Sequence, residues 1–276
     1  MKVDILGVKI DDLTMTEALL VVEKWIWNPG PDSDFVVNRG SRANGIRREK
    51  HCIVTPNPEM IVAAQTDSDF RQALNDADLS IPDGAGLKLS GKVKNTFAGT
   101  DFMEKLVKLS AEKGFVTGFL GGRDGVAKKA AECLKKKYPS LKVAFAEGGG
   151  DVDSQGNILR AKREVSLRPI IVSKVSSRSA LQNSNNIPTV DILFVAFGHQ
   201  KQEKWIAANL KDIPVKVAMG VGGSFDYLSG SVPRAPKFLR NLGLEWLFRL
   251  IIQPWRIKRQ LALIKYLWLL FLSSWT

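Results

Sequence analysis

Four short segments carry side chains able to do chemistry, and each follows an apolar run and opens into turn-forming residues. In Ile81-Pro82-Asp83-Gly84-Ala85-Gly86, Pro and Gly flank Asp83 in a rigid turn. A carboxylate presented this way can take a proton from a sugar hydroxyl. An Asp that only satisfies its own turn is the plainer alternative. In Thr55-Pro56-Asn57-Pro58-Glu59-Met60, Asn57 is a helix N-cap with Pro58 at the first helical position. The free backbone N–H groups of such a start suit a diphosphate, and an ordinary capped turn is the plainer alternative. In Gly198-His199-Gln200-Lys201-Gln202-Glu203, Gln202 both donates and accepts, as a sugar or uracil edge requires, and Glu203 is placed to pair or to cap. His199 is a lone loop histidine and reads as incidental. Gly220-Val221-Gly222-Gly223-Ser224-Phe225-Asp226 lacks the full dinucleotide spacing. Gly222 and Gly223 therefore read as close backbone approach to a phosphate or a neighbouring element, and an NAD site is disfavoured. Gly121-Gly122-Arg123-Asp124-Gly125 is a weaker signal of the same kind.

A fifth group lies near the C-terminus. Arg249, Arg256 and Arg259 are spaced so that one continuous helix would carry them on one face, with Pro254 as a kink point. Guanidinium groups in a row clamp a diphosphate, or lipid phosphates, bidentately. Residues 231–276 hold eight Lys or Arg against one carboxylate, about +7 of the chain's net +12, together with four Trp and three Phe. Such a basic, aromatic ending suits an anionic membrane surface. The apolar run Leu261 to Leu272 is 12 residues long and contains Lys265, short of the roughly 20 that a spanning helix needs. The tail is expected to lie on the bilayer. The competing reading docks it on the protein's own core or on a second subunit, as a homo-oligomer. No secretory signal opens the chain, so the expected location is cytoplasmic, peripheral on the inner face of the cell membrane.

The elements that must position these residues alternate. Strand-like apolar runs occur at 52–54, 79–81, 116–120, 141–145, 191–197 and 215–219, with helical periodicity between them. The opening Lys2 to Val8 reads as one alternating strand. The expected fold is α/β: a Rossmann-like, largely parallel sheet with helices on both faces and a C-terminal helical membrane-binding appendage. The expected division is a catalytic domain over 1–230, with insertions at 28–50 and 163–188, and the appendage over 231–276. At 276 residues and 45% hydrophobic, the chain can bury a sizeable core. Cys52 and Cys133 read as two separate buried thiols, without disulfide or zinc spacing. Three Asp-x-Asp triplets, starting at Asp32, Asp67 and Asp151, lie in polar turns, and no metal is assigned to them. The basic residues cluster with apolar ones and form no polar stripe, so nucleic acid is not an expected partner.

Taken together, Asp4-Ile5-Leu6-Gly7-Val8, Thr55 to Met60, Pro82-Asp83-Gly84, Phe197-Gly198 with Gln202-Glu203, Gly220 to Asp226 and the tail from Glu245-Trp246 to Arg259 resemble the WecG/TagA/CpsF family of bacterial glycosyltransferases. The resemblance implies transfer of N-acetylmannosamine, or its uronic acid, from a UDP-sugar to a polyprenyl-diphosphate-linked GlcNAc, with inversion and without a metal or other cofactor. It implies that Asp83 is the base toward the acceptor's 4-hydroxyl. Thr55, Asn57 and Gln202 would line the pocket, and Arg249, Arg256 and Arg259 would offset charge on the leaving UDP. The chain departs from the family pattern where Gln200 replaces a usual Pro and Thr96 a usual Arg, a loss that Lys92 or Lys94 would have to make good. A catalytically impaired, membrane-associated nucleotide-sugar-binding homologue is the alternative function.

Overall fold

The computed structural model describes residues 2–27, 50–123, 125–149, 151–153, 158–159 and 190–273. The insertions expected at 28–50 and 163–188 lie outside these residues, apart from Lys50, as does the Asp32 triplet; Arg256 is described in its backbone alone. The chain opens with strands β1 (Lys2–Ile5) and β2 (Val8–Asp11), then helix α1 (Met15–Trp27). There follow β3 (His51–Val54), α2 (Pro58–Ala64), α3 (Ser68–Asn75), β4 (Leu79–Ser80), α4 (Gly99–Lys113), β5 (Val116–Gly121), α5 (Val126–Lys137) and β6 (Lys142–Glu147). A small pair, β7 (Asp151–Val152) and β8 (Ile158–Leu159), precedes β9 (Val190–Ala196), α6 (Lys201–Asn209), β10 (Val215–Gly220) and α7 (Ser224–Leu228). The tail folds as α8 (Lys237–Asn241), α9 (Glu245–Ile252) and α10 (Ile257–Ser273).

Six strands form one parallel sheet in the order β4-β3-β10-β9-β5-β6. The apolar runs are continuous because both faces are covered. Along β9, Ile192, Phe194 and Ala196 join the core beneath α1, α4 and α5, whereas Leu193 and Val195 join the core beneath α6 with Trp205 and Ile206. The period-two alternation of a strand thus divides one hydrophobic run between two cores. A third core gathers the first hairpin, α2, α3 and the tail residue Tyr266.

Two expectations are corrected. Lys2 to Val8 is not one strand: Leu6 and Gly7 take φ of 52° and 80°, and the chain turns back as an antiparallel hairpin. Positive φ at both central residues matches the twist of a tight hairpin, and Gly7 makes the second of them easy. Cys133 is exposed, because Ala127, Ala130, Ala131 and Leu134 form the inward face of α5 and position 133 falls outside it. Cys52 is half-buried, and burial pushes its thiol well above the usual range.

In the tail, Gln253 and Pro254 interrupt the helix, so Arg249 sits on α9 and Arg259 on α10. One face of α10 packs on α2, with Tyr266 fully buried and Leu263, Leu269 and Leu270 around it. Leu261, Ile264, Trp268, Phe271 and Leu272 remain exposed on the helix. Among the described residues, no helix is long and apolar enough to cross a membrane.

Candidate active site

The carboxyl ends of parallel strands form the crevice in which open α/β sheets bind ligands. Here the turns after β3, β4, β5, β9 and β10 meet residues of the tail around a cavity of about 560 Å³.

The turn after β3 carries Thr55, which is buried, and Asn57, whose Oδ1 accepts the N–H of Met60 at 2.9 Å as the expected N-cap of α2. The turn after β4 is tied to it, for Asp83 donates its N–H to the Pro56 carbonyl oxygen at 2.8 Å. The Asp83 carboxylate accepts the N–H of Gly99, the first residue of α4, at 3.2 Å. Gly99 packs closely on Thr55: a Cβ there would stand 3.2 Å from Thr55 Oγ1, so a larger residue requires Thr55 to shift. Burial pushes the Asp83 carboxyl up to about 7, against the Gly99 N–H that favours the anion; Glu245 and Asp101 add to the rise and Arg234 offsets it. Asp83 is thus poised near neutrality and faces the cavity, as a general base must.

The loop after β9 bends sharply, with Gln200 at φ 68°. A proline, fixed near −65°, could not adopt this backbone, which Gln200 does. Behind it, Gln202 Oε1 accepts the N–H of Gly222 at 2.9 Å, and Gln202 Nε2 donates to Glu203 Oε1 at 2.7 Å. Gln202 lines the cavity but holds the glycine turn with its carbonyl oxygen. Glu203 lies beneath, outside the cavity lining, 1% exposed; burial raises its carboxyl to about 7. His199 does line the cavity, edge-on to Phe70, and burial holds its imidazole below the ordinary range.

The glycine turn after β10 gives Gly222 (φ 52°) and Gly223 to the cavity. Ser224 Oγ bonds the Val221 carbonyl oxygen at 2.7 Å and lies 2.9 Å from Thr100 Oγ1, which joins this turn to α4. The tail closes the far side. Arg249 lies over the Tyr227 ring, 4.8 Å from its centroid, and Arg259 pairs with Glu59 at 2.6 Å. Both line the cavity, together with Trp255. Of the residues expected at the site, the structure brings together Asp83, Thr55, Asn57, Gln202, Gly222, Gly223, Arg249 and Arg259. The Arg256 side chain lies outside the described set.

Neither Lys92 nor Lys94 lines the cavity: the Lys92 ammonium bonds the Asp4 carbonyl oxygen, and the Lys94 backbone N–H bonds Asp12. The further cationic residues at the cavity are Arg123 and Lys201. Arg123 lies two residues past β5 and Lys201 opens α6, and these junctions are the signal that marks them. Tyr227 carries no such signal. Asp67 of the second Asp-x-Asp triplet caps α3 through the Phe70 N–H and pairs with Lys204 at 2.8 Å, a structural assignment.

Gly223 supplies a direct test of the tail's approach. Its φ of −83° suits alanine, but a Cβ would lie 2.6 Å from an Arg249 guanidinium nitrogen. Gly223→Ala should therefore fold normally and displace the guanidinium, lowering turnover on the order of tenfold to a hundredfold. Unchanged kinetics would mean that Arg249 does not work from this position.

The sequence model of the Glycosyl transferase WecG/TagA/CpsF family matches residues 37–276. The chain is 33% identical to the N-acetylglucosaminyldiphosphoundecaprenol N-acetyl-beta-D-mannosaminyltransferase of Bacillus subtilis (strain 168) over 219 residues, covering 78% of this chain and 76% of the relative. The like-named proteins of Bacillus spizizenii (strain ATCC 23059 / NRRL B-14472 / W23) and Staphylococcus aureus (strain MRSA252) are 32% and 28% identical; the second alignment covers 94% of this chain and 87% of the relative.

Proposed function

Because the chain belongs to the WecG/TagA/CpsF family of glycosyltransferases, we propose that it moves N-acetylmannosamine, or its uronic acid, from a UDP-sugar to a polyprenyl-diphosphate-linked GlcNAc. The observation that carries this reading is the pairing of one near-neutral carboxyl, Asp83, with the tail arginines Arg249 and Arg259 around a single cavity. The acceptor hydroxyl oxygen attacks the anomeric carbon and gives its proton to Asp83, while the bond to the UDP oxygen breaks. A single displacement of this kind inverts the centre and needs one base. Arg249 and Arg259 face the place where the diphosphate gains charge, and preorganised cations there lower the barrier. We assign charge compensation to these arginines and propose that the reaction needs no metal.

The lipid carrier accounts for the tail. Ile251, Trp255 and Ile264 are 69%, 72% and 66% exposed, Leu261, Trp268 and Phe271 are exposed on the same tail, and Trp255 also lines the cavity. Isolated exposed apolar residues are ordinary, but so many on one short basic tail suit an anionic bilayer. The protein is proposed to dock there from the cytoplasmic side, so that cavity and acceptor share one surface.

The test is UDP release from UDP-N-acetylmannosamine with a soluble lipid-diphosphate-GlcNAc analogue. Release should require acceptor and survive a chelator. It should fall as pH drops through about 7, because only the ionised Asp83 accepts a proton and protonation removes it. UDP binding without release would identify the impaired homologue instead.

A further inference from the structure

We propose that Arg234 is a positioning residue, a staple that fastens α9 to the first turn of α4 and so holds Arg249 over the cavity that contains Asp83. Arg234 precedes the tail helices and is not among the cavity-lining residues. Its guanidinium forks between two elements: one terminal nitrogen reaches Asp101 Oδ1 at 2.6 Å and Nε reaches Glu245 Oε1 at 3.1 Å. Arg240 adds a second contact to Asp101 at 3.3 Å.

Both anchors are directly connected to the site. Asp101 lies in the first turn of α4, two residues after the Gly99 whose N–H holds the Asp83 carboxylate. Glu245 is the first residue of α9, one helical turn before Arg249. Tyr227 links them again, with Arg249 4.8 Å and Arg234 6.0 Å from its ring centroid. A planar fork satisfying two carboxylates from different elements is a geometry that lysine cannot reproduce. The Arg234 side chain is 17% exposed, so its pairing is less screened than a surface bridge. The same three groups also act on Asp83: Glu245 and Asp101 favour its protonated form and Arg234 its ionised form.

The structural half of this proposal stands by itself, and the kinetic half rests on the glycosyl-transfer reading. The experiment compares wild type, Arg234→Gln, Arg234→Lys and Glu245→Gln by amide hydrogen exchange and by the pH dependence of transfer. In Arg234→Gln, exchange over residues 245–252 should rise about tenfold or more while β9 and β10 keep their protection. Transfer should fall mainly in kcat, and Arg234→Lys should not restore it. The acid limb should move up by about half a pH unit in Arg234→Gln and down in Glu245→Gln, because one loses a cation and the other an anion near the base. General loosening would move both limbs the same way. Unchanged exchange over 245–252, or limbs shifting in one direction, overturns the staple. If wild type transfers no sugar, the transfer reading fails, and the exchange data still decide the staple.

Discussion

Asp83→Asn lowers transfer by at least about 10²-fold, the scale of losing a general base, and leaves UDP binding intact. Asparagine keeps the shape of the side chain and an oxygen for the Gly99 N–H at 3.2 Å, so the turn and the start of α4 persist. It cannot take a proton. The same substitution stabilises the fold at alkaline pH. Burial raises the folded Asp83 carboxyl from 3.8 to about 7, so between these values the folded chain binds a proton that the unfolded chain has released. Stability therefore declines as pH rises across that window and stays lower above it. Asparagine is free of this cost, so the mutant should melt higher than wild type at pH 8, with the difference closing toward pH 4. Near-normal turnover would remove Asp83 from the mechanism, and a difference in melting temperature that ignores pH would contradict its burial. Loss of activity with gain of stability is the signature of a group strained for function.

The turns that line the cavity were legible because each sits at a strand-to-helix junction, where turn and capping chemistry is local. Asn57 caps α2 as its spacing requires, and Asp83 emerges from its Pro-Asp-Gly turn into the cavity. What the sequence conceals is lateral order. The sheet runs β4-β3-β10-β9-β5-β6, so the glycine turn after β10 comes between those after β3 and β9, although β10 is the last strand in the chain. That order creates the bond from Gly222 to Gln202, which makes Gln202 a support of the glycine turn as well as a wall of the cavity. Local patterning also missed the first hairpin, because Lys2 to Val8 alternates as a single strand would and only the backbone at Leu6 and Gly7 reveals the turn. In the tail, composition showed the exposed apolar surface, but the break at Gln253 and Pro254 decides that Arg249 and Arg259 approach the cavity from two different helices.

Those two arginines should not contribute equally. Arg259 pairs with Glu59 at 2.6 Å, so much of its charge is already balanced within the protein. Among the described residues, Arg249 contacts neutral groups, the Tyr227 ring at 4.8 Å and the Gln253 side-chain oxygen at 3.5 Å. It keeps a full charge for a diphosphate that becomes more negative as the sugar departs. Arg249→Ala should therefore lower kcat on the order of 10²-fold or more, the effect of removing one preorganised partner of transition-state charge, with a smaller change in donor KM. Arg249→Lys should recover little, because stacking over Tyr227 and bidentate contact both need the planar guanidinium. The double variant Arg259→Ala/Glu59→Gln should cost about tenfold less than Arg249→Ala, since removing the pair together leaves the net charge at the cavity unchanged, whereas Arg259→Ala alone would leave the Glu59 carboxylate uncompensated there. Steady-state kinetics on the three variants with a lipid-linked acceptor decide the matter. Equal losses at 249 and 259 would mean that substrate opens the Glu59 pair and recruits Arg259 in full, and a fully active Arg249→Lys would reduce the role of Arg249 to a point charge.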